Sequence, residues 1–373
     1  MIPEPIHPSL LEETRVTSPK CPSCGGVMGY DPKSNQLLCQ YCGYNENLSA
    51  NNDQIKELAY HEHNGQEEII LLEKEAKKVY HCNSCGANVM VDSDQIKTKC
   101  TFCTADGILE EAFEHRMVKP AGIIPFYLGK KEAELKFTQW IGQGWFHPSK
   151  LKKAASLDAM QGVYIPFWTF DFHAYAEWCG DAGYHYTDYQ RVYLNGKWIN
   201  QPVTKIRWEY KSGTLQHFFD DILIIASDKI DPKFRTGITG FRLNELVNFD
   251  MRYMMGWQSE LYNQNLQSSY ILAEQIVRDQ VRNMCSGQLG GNVQKNLHVS
   301  TTLSQQTFKH VYLPIWMSAY QYNGKIYKIL INGQTGKIYG DKPWSWIKIS
   351  ILIFIFLFVV FAIWWMRENG FVD

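Results

Sequence analysis

Eight of the ten cysteines fall into two quartets of identical spacing, Cys21, Cys24, Cys39, Cys42 and Cys82, Cys85, Cys100, Cys103. Each reads C-x2-C-x14-C-x2-C, and the second is displaced from the first by 61 residues. A C-x2-C turn sets two thiolates on one side of a metal ion, and a second such turn at the tip of a facing hairpin completes a tetrahedron. The repeat extends beyond the ligands: Gly25 matches Gly86, Met28 matches Val89, Asp31 matches Asp92 and Tyr41 matches Phe102. The pattern predicts a duplicated zinc ribbon. Disulfides would require an oxidising compartment, and the opening MIPEPIHPSLL has neither a basic start nor an apolar h-region. Four thiolates per ion leave no position for water or substrate, so both zinc ions are expected to be structural. Cys179 and Cys285, 106 residues apart and outside any C-x2-C pair, read as buried structural thiols.

A second constraint lies at the far end. Residues 349–366, ISILIFIFLFVVFAIWWM, run 18 positions without a charge, ~27 Å of helix against a hydrocarbon core of ~30 Å. Trp344 and Trp346 precede the run and Trp364 and Trp365 close it, as expected of residues at the two interfaces, and Lys348 is long enough to snorkel to the headgroups. The expectation is one C-terminal transmembrane helix. Lys337, Lys342 and Lys348 lie upstream of it against Arg367 downstream, which places the N-terminal bulk in the cytoplasm. Reduced thiolates require the same side. Residues 367–373 would emerge outside.

Between these ends lies a stretch of about 220 residues, enough for a real core. The chain carries 37 Lys and Arg against 38 Asp and Glu, and neither ribbon has the basic face that phosphate binding needs, so nucleic acid is disfavoured as a partner. Residues 1–18 read as a flexible tail and 48–79 as a charged linker with a short helical candidate over residues 53–61. From Ile123 the composition turns aromatic and strand-like. Apolar spacing predicts amphipathic helices over 131–142 and 269–284. Asn195-Gly196 and Asn323-Gly324 are two-residue hairpin signals. Val163-Tyr164-Ile165-Pro166-Phe167-Trp168 recurs as Val311-Tyr312-Leu313-Pro314-Ile315-Trp316, with a weaker copy at residues 123–126. Proline donates nothing to a ladder, so these segments are expected at strand starts, edges or bulges, with their aromatics packed inward.

Catalytic constellations are not convincing. Gly333-Gln334-Thr335-Gly336-Lys337 lacks the full phosphate-loop pattern and reads as a hairpin turn. Asp220-Asp221 is a possible metal pair, and the run 170–189 holds Asp171, His173, Asp181, His185 and Asp188 without a recognisable ligand spacing. His61, His63 and His81 lie near quartets that are complete without them. Lys150, Lys152 and Lys153, with Lys130 and Lys131, form a basic cluster suited either to solvent or to anionic lipid.

The tandem ribbons, followed by IIPFYLGKKEAELKF, QGVYIPFWTFD, FDDILIIAS and VYLPIWMSAYQYNGKIYKILINGQTGKIYGDKP and then by the apolar run, resemble a bacterial family of double zinc-ribbon membrane proteins. Its ribbons are similar to those of transcription factor IIB. The resemblance implies association with phage-shock protein A-like and flotillin-like (SPFH) scaffold proteins in envelope stress or membrane maintenance. The helicase label that some members carry finds no Walker motif here.

The expected fold is α+β: zinc ribbon 1 over 19–47, zinc ribbon 2 over 80–108, a linker over 109–122, a largely antiparallel α+β domain over 123–343 and the transmembrane helix. The expected function is a non-enzymatic, membrane-anchored adaptor that recruits protein partners to the cytoplasmic face of a bacterial membrane. The alternatives are a tethered nucleic-acid-binding protein, or an enzyme with a site within residues 123–343, which a pocket joining Asp220, Asp221, His173 and His185 would favour.

Overall fold

The computed structural model describes residues 20–48, 55–61, 77–92, 100–103, 105, 108–111, 118–148, 151, 160–194, 196–235, 238, 240–323 and 325–368. The expectations for the flexible tail and for Lys150, Lys152, Lys153 and His63 fall outside these residues. The architecture is mixed α+β and dominated by sheet.

The first cysteine quartet sits on a three-stranded sheet of β1 (Met28–Asp31), β2 (Gln36–Cys39) and β3 (Asn45–Asn47). Next comes β4 (Leu58–Ala59), which pairs with residues Thr307 and Phe308 where a helix was expected. The tertiary ladder overrides the local helix pattern there, because a two-residue strand seals part of an otherwise open sheet edge. The second quartet sits on β5 (Lys77–Cys82), β6 (Asn88–Asp92) and β7 (Ile108–Glu111). This sheet joins a twelve-stranded one.

The remaining elements run β8 (Gly122–Ile123), α1 (Lys130–Ile141), β9 (Gln161–Leu194), β10 (Lys197–Ile225), α2 (Pro232–Arg235), β11 (Val247–Asn248), β12 (Gln258–Glu260), α3 (Leu266–Leu289), β13 (Val293–Tyr322), β14 (Lys325–Asn332), β15 (Ile338–Gly340) and α4 (Trp346–Glu368). The strands on either side of the two asparagine-glycine signals pair antiparallel, β9 with β10 and β13 with β14. Residues 332–337 form the turn between β14 and β15, where Asn332 Oδ1 accepts the N–H groups of Gln334 and Thr335 at 2.9 Å each.

The long strand β9 explains its own surroundings through a change of pattern along its 34 residues. Positions 163–172 are buried without interruption, because strands flank this stretch and packed side chains cover both faces. Further on, Ala174, Ala176, Trp178 and Ala182 are buried and alternate with exposed or half-buried neighbours. One face there is covered by α3, whose Ala273, Val277, Val281, Cys285 and Leu289 repeat every four residues and are fully buried. Asn265 Oδ1 caps the helix start by accepting the Ser268 N–H at 2.8 Å, and Gly290 at φ 69° ends it. Past the Gly183–Val293 pair, β9 and β10 continue as a bare two-stranded ribbon bearing exposed Tyr186, Tyr189, Tyr193 and Trp198.

Pro166 and Pro314 lie inside long strands, not at strand starts. Each marks a handover on one edge of its strand: β12 pairs at 163–164 and β10 from 167, while β8 pairs at 311–312 and β14 from 315. A residue without an N–H sits where no ladder partner is due. The flanking Tyr164, Phe167, Trp168, Tyr312 and Trp316 are all buried, as the inward-packing reading expects.

Candidate functional site

Each cysteine quartet is assembled by two short turns. The Gly25 N–H donates to Cys21 O at 2.8 Å, Gly43 to Cys39 O at 3.0 Å and Gly86 to Cys82 O at 2.7 Å. All three glycines have φ between 71° and 76°, the left-handed region in which a Cβ is strained. The turns aim backbone N–H groups at sulfur. Those of Cys42 and Tyr41 face Cys39 and lower its thiol to about 6. At Cys82, burial works against ionisation, but the N–H groups of Cys85 and Ser84 outweigh it and the thiol falls to about 7. Such donors stabilise a thiolate, the form that ligates metal, while burial holds the Cys85 and Cys100 thiols of the second quartet up.

The four Sγ atoms of each quartet lie within 4.8 Å of one another. Sulfur–sulfur separations are 3.4 Å for Cys21–Cys42, 3.5 Å for Cys24–Cys39, 3.6 Å for Cys82–Cys103 and 3.7 Å for Cys85–Cys100. A tetrahedral ion with metal–sulfur bonds of ~2.3 Å requires an edge of ~3.8 Å. Both quartets therefore fit a four-coordinate metal held entirely by thiolates.

Both ribbons are fastened to one stretch of backbone. The Tyr30 N–H of β1 donates to Met255 O at 3.0 Å, and Trp257 Nε1 donates to Tyr30 O at 3.2 Å. On the other side, Asp92 Oδ2 accepts the Gly256 N–H at 2.8 Å, and Ser259 and Glu260 pair with Met90 and Val89 of β6. Residues 253–261 are thus clamped between equivalent strands of the two copies, and β12 passes the second ribbon on to β9. The copies differ at the matched aromatic. Phe102 is 4% exposed within the core shared with β9 and β13, and its neighbour Thr101 donates to Gln258 Oε1 at 2.6 Å. Tyr41 is 81% exposed.

The alternative site does not assemble as one pocket. Asp220 and Asp221 lie with Asp171, their carboxylate oxygens within 4.8 Å of one another. His173 instead stacks obliquely on Phe218 at 4.5 Å, and His185 lies twelve residues beyond it along β9. His81 bonds Asn88 at 2.7 Å and ligates neither quartet.

Asp221 already has a cation. The buried Lys309 Nζ lies 2.8 Å from Asp221 Oδ1 and 2.9 Å from Glu57 Oε1. Burial alone would lower the Lys309 pKa, yet its bonds to Asp221 and Glu57 raise it overall. Burial lifts Asp171 to about 6, although it accepts the Thr307 hydroxyl at 2.6 Å and the Asp221 N–H at 2.7 Å. Register shifts in both neighbouring strands, at Phe219/Ile222 and Ser304/Thr307, make room for the cluster around Asp171. Lys309→Met should lower stability by ~3–5 kcal/mol, because it strands carboxylates with no counter-charge. The loss should shrink at pH 5, where Asp171 is protonated, as read by urea unfolding of the solubilised chain. An unchanged midpoint at pH 7 would show that the ion pair contributes nothing.

Reading the sequence missed Glu57, Lys309 and the fully buried Glu260. No local signal marks them, since each gains its partner from a distant segment.

Over 342 residues the chain is 26% identical to the uncharacterized protein YdjG of Bacillus subtilis (strain 168), which covers 90% of this chain and 92% of that protein. No protein-family model matches the chain. No solved structure matches it significantly.

Proposed function

We propose that the protein is a membrane-anchored zinc-ribbon adaptor, held by α4 with its bulk in the cytoplasm, that presents ribbon 1 to a protein partner. Both quartets hold structural zinc in this reading, because all-thiolate tetrahedral sites suit that ion and leave it no open position. The carrying observation is the divergence of the two copies: ribbon 2 packs Phe102 into the body, whereas ribbon 1 leaves the matched Tyr41 in solvent. An exposed aromatic on a rigid, metal-closed turn is a low-entropy anchor for a partner's pocket. Because β1 is bonded to Met255, whatever binds ribbon 1 is held at a fixed distance from the body. Candidate partners are flotillin-like or phage-shock protein A-like scaffolds, in envelope stress or membrane maintenance.

Purification of the full-length chain in mild detergent should give two zinc ions per chain. Tyr41→Ala should keep both ions and lose the co-purifying scaffold protein at least tenfold. Retention of that partner by Tyr41→Ala would remove ribbon 1 from the docking role. One zinc ion or none per chain would overturn the metal assignment.

A further inference from the structure

The spanning helix does not leave the body on a free tether. Its entrance is bonded to the turn that follows α1. The Ser345 N–H donates to Phe146 O at 2.7 Å, Lys348 Nζ donates to His147 O at 3.0 Å, and His147 Nδ1 lies 2.9 Å from Pro343 O. Lys342 Nζ reaches back to Gln143 O at 3.1 Å and lies 4.2 Å from the centre of the Trp140 ring. These bonds hold residues 143–147 within about one helical turn of the start of α4, a rise of ~5 Å. Gly144 has φ 97°, and a Cβ there would lie 2.6 Å from the His147 ring.

The side chains on this turn are the wrong ones for water. Trp145 is 55% exposed and Phe146 38% exposed, packed edge to face at 5.3 Å. Phe146 lies 6.1 Å from Trp344, itself 61% exposed, and Trp346 beyond it is 76% exposed. The two segments that meet here, residues 142–148 and 340–346, hold no acidic residue except Asp341, which pairs with Lys233. The opposite end of α4 carries Trp364 and Trp365, 18 and 19 positions past Trp346, a rise of ~27 Å that matches a hydrocarbon core of ~30 Å. Aromatic residues at such a height belong in the headgroup layer, where the ring is apolar and the indole N–H stays wet.

We propose that residues 143–147 are a second membrane contact, with Trp145 and Phe146 seated in the interfacial layer of the leaflet that α4 enters. The proposal rests on α4 spanning the bilayer. A single helix fixes only a point, and a helix with a bonded aromatic turn beside it also restricts tilt. The body, and the two ribbons clamped to residues 253–261, would then hold a preferred angle to the membrane.

The test uses the full-length chain labelled with 5-fluorotryptophan in phosphatidylcholine/phosphatidylglycerol nanodiscs. The Trp145 and Trp364 fluorine signals are assigned by their loss in Trp145→Phe and Trp364→Phe. Lipid carrying a nitroxide at carbon 5 should broaden both beyond detection, and a water-soluble gadolinium chelate should broaden Trp145 less than half as much as it does in detergent-free buffer for free 5-fluorotryptophan. If the lipid nitroxide spares Trp145 but broadens Trp364, the span stands and the second contact is refuted. If it spares both, the spanning reading falls and takes the proposal with it.

Discussion

Cys85→Ser is expected to damage the whole molecule, and Cys24→Ser only its first ribbon. In the proposed zinc reading, either change removes one of four thiolates and with it metal-binding free energy that a small ribbon needs in order to fold. What differs is the attachment. Ribbon 1 forms a separate three-stranded sheet that meets the body through the bonds of Tyr30 with Met255 and Trp257 and through packing of Cys21, Met28, Tyr30, Leu37, Cys39 and Leu48 with residues such as Phe126 and Tyr253, but shares no strand ladder with it. Ribbon 2 supplies β6 to β12, which pairs directly with β9, and places Cys82, Cys100 and Phe102 in a core with Val163, Ile165 and Phe167. Losing ribbon 2 therefore uncovers the centre of the large sheet. Hydrogen exchange of the membrane-reconstituted chain should show Cys24→Ser with fast exchange limited to residues 20–48. Cys85→Ser should add fast exchange in 77–92, 160–172 and 253–261, or yield no soluble chain. Equal, local damage from both changes would contradict the docking described above.

The cysteine sites were legible because metal ligation is written in local spacing, and the turn glycines Gly25 and Gly86 repeat with it. Helix α3 was legible for a similar reason: Ala273, Val277 and Val281 recur at the helical period in one uninterrupted segment. The length of β9 was not. Its buried stretch, its alternating stretch and its exposed end read as three kinds of sequence, since burial on two faces, one face or none is decided by neighbours far along the chain. Residues 53–61 gave a helical signal, yet Leu58 and Ala59 pair with Phe308 and Thr307, about 250 residues later. The clamp on residues 253–261 is carried largely by backbone groups, Met255 O and the Gly256 N–H among them, and backbone leaves no compositional trace. Asp171 and Asp221 were visible as carboxylates. The cation that neutralises them, Lys309, was not visible as their partner.

Glu260→Gln should raise stability at alkaline pH and leave it unchanged in acid. Glu260 is fully buried on β12, where Oε1 accepts the Ser227 hydroxyl at 2.8 Å and Oε2 has no hydrogen-bond partner among the described residues. Burial pushes its pKa to about 8 from an ordinary 4.5, with Asp228 adding to the rise and Ser227 and Lys229 opposing it. The folded chain therefore keeps a proton that the unfolded chain gives up between these two values. Stability falls as pH rises through that window and is flat with respect to this group outside it. Over the full window the loss approaches ~5 kcal/mol at ~1.4 kcal/mol per pH unit. Glutamine has the same shape and cannot ionise, so the variant should lack that slope. In the proposed zinc reading the quartets pull the other way, since thiolate ligands compete with protons and lose metal as pH falls. The wild-type chain should therefore be most stable between an acid limb set by the thiolates and an alkaline limb set by Glu260. Urea midpoints from pH 4 to 8.5 should show Glu260→Gln and wild type nearly equal at pH 4, with the variant's advantage widening as pH rises to about 8. Parallel profiles for the two proteins would mean that Glu260 is ionised in the folded chain. Because β12 carries β6, the extra alkaline stability should appear first as slower exchange in residues 77–92, which carry half of the second cysteine quartet.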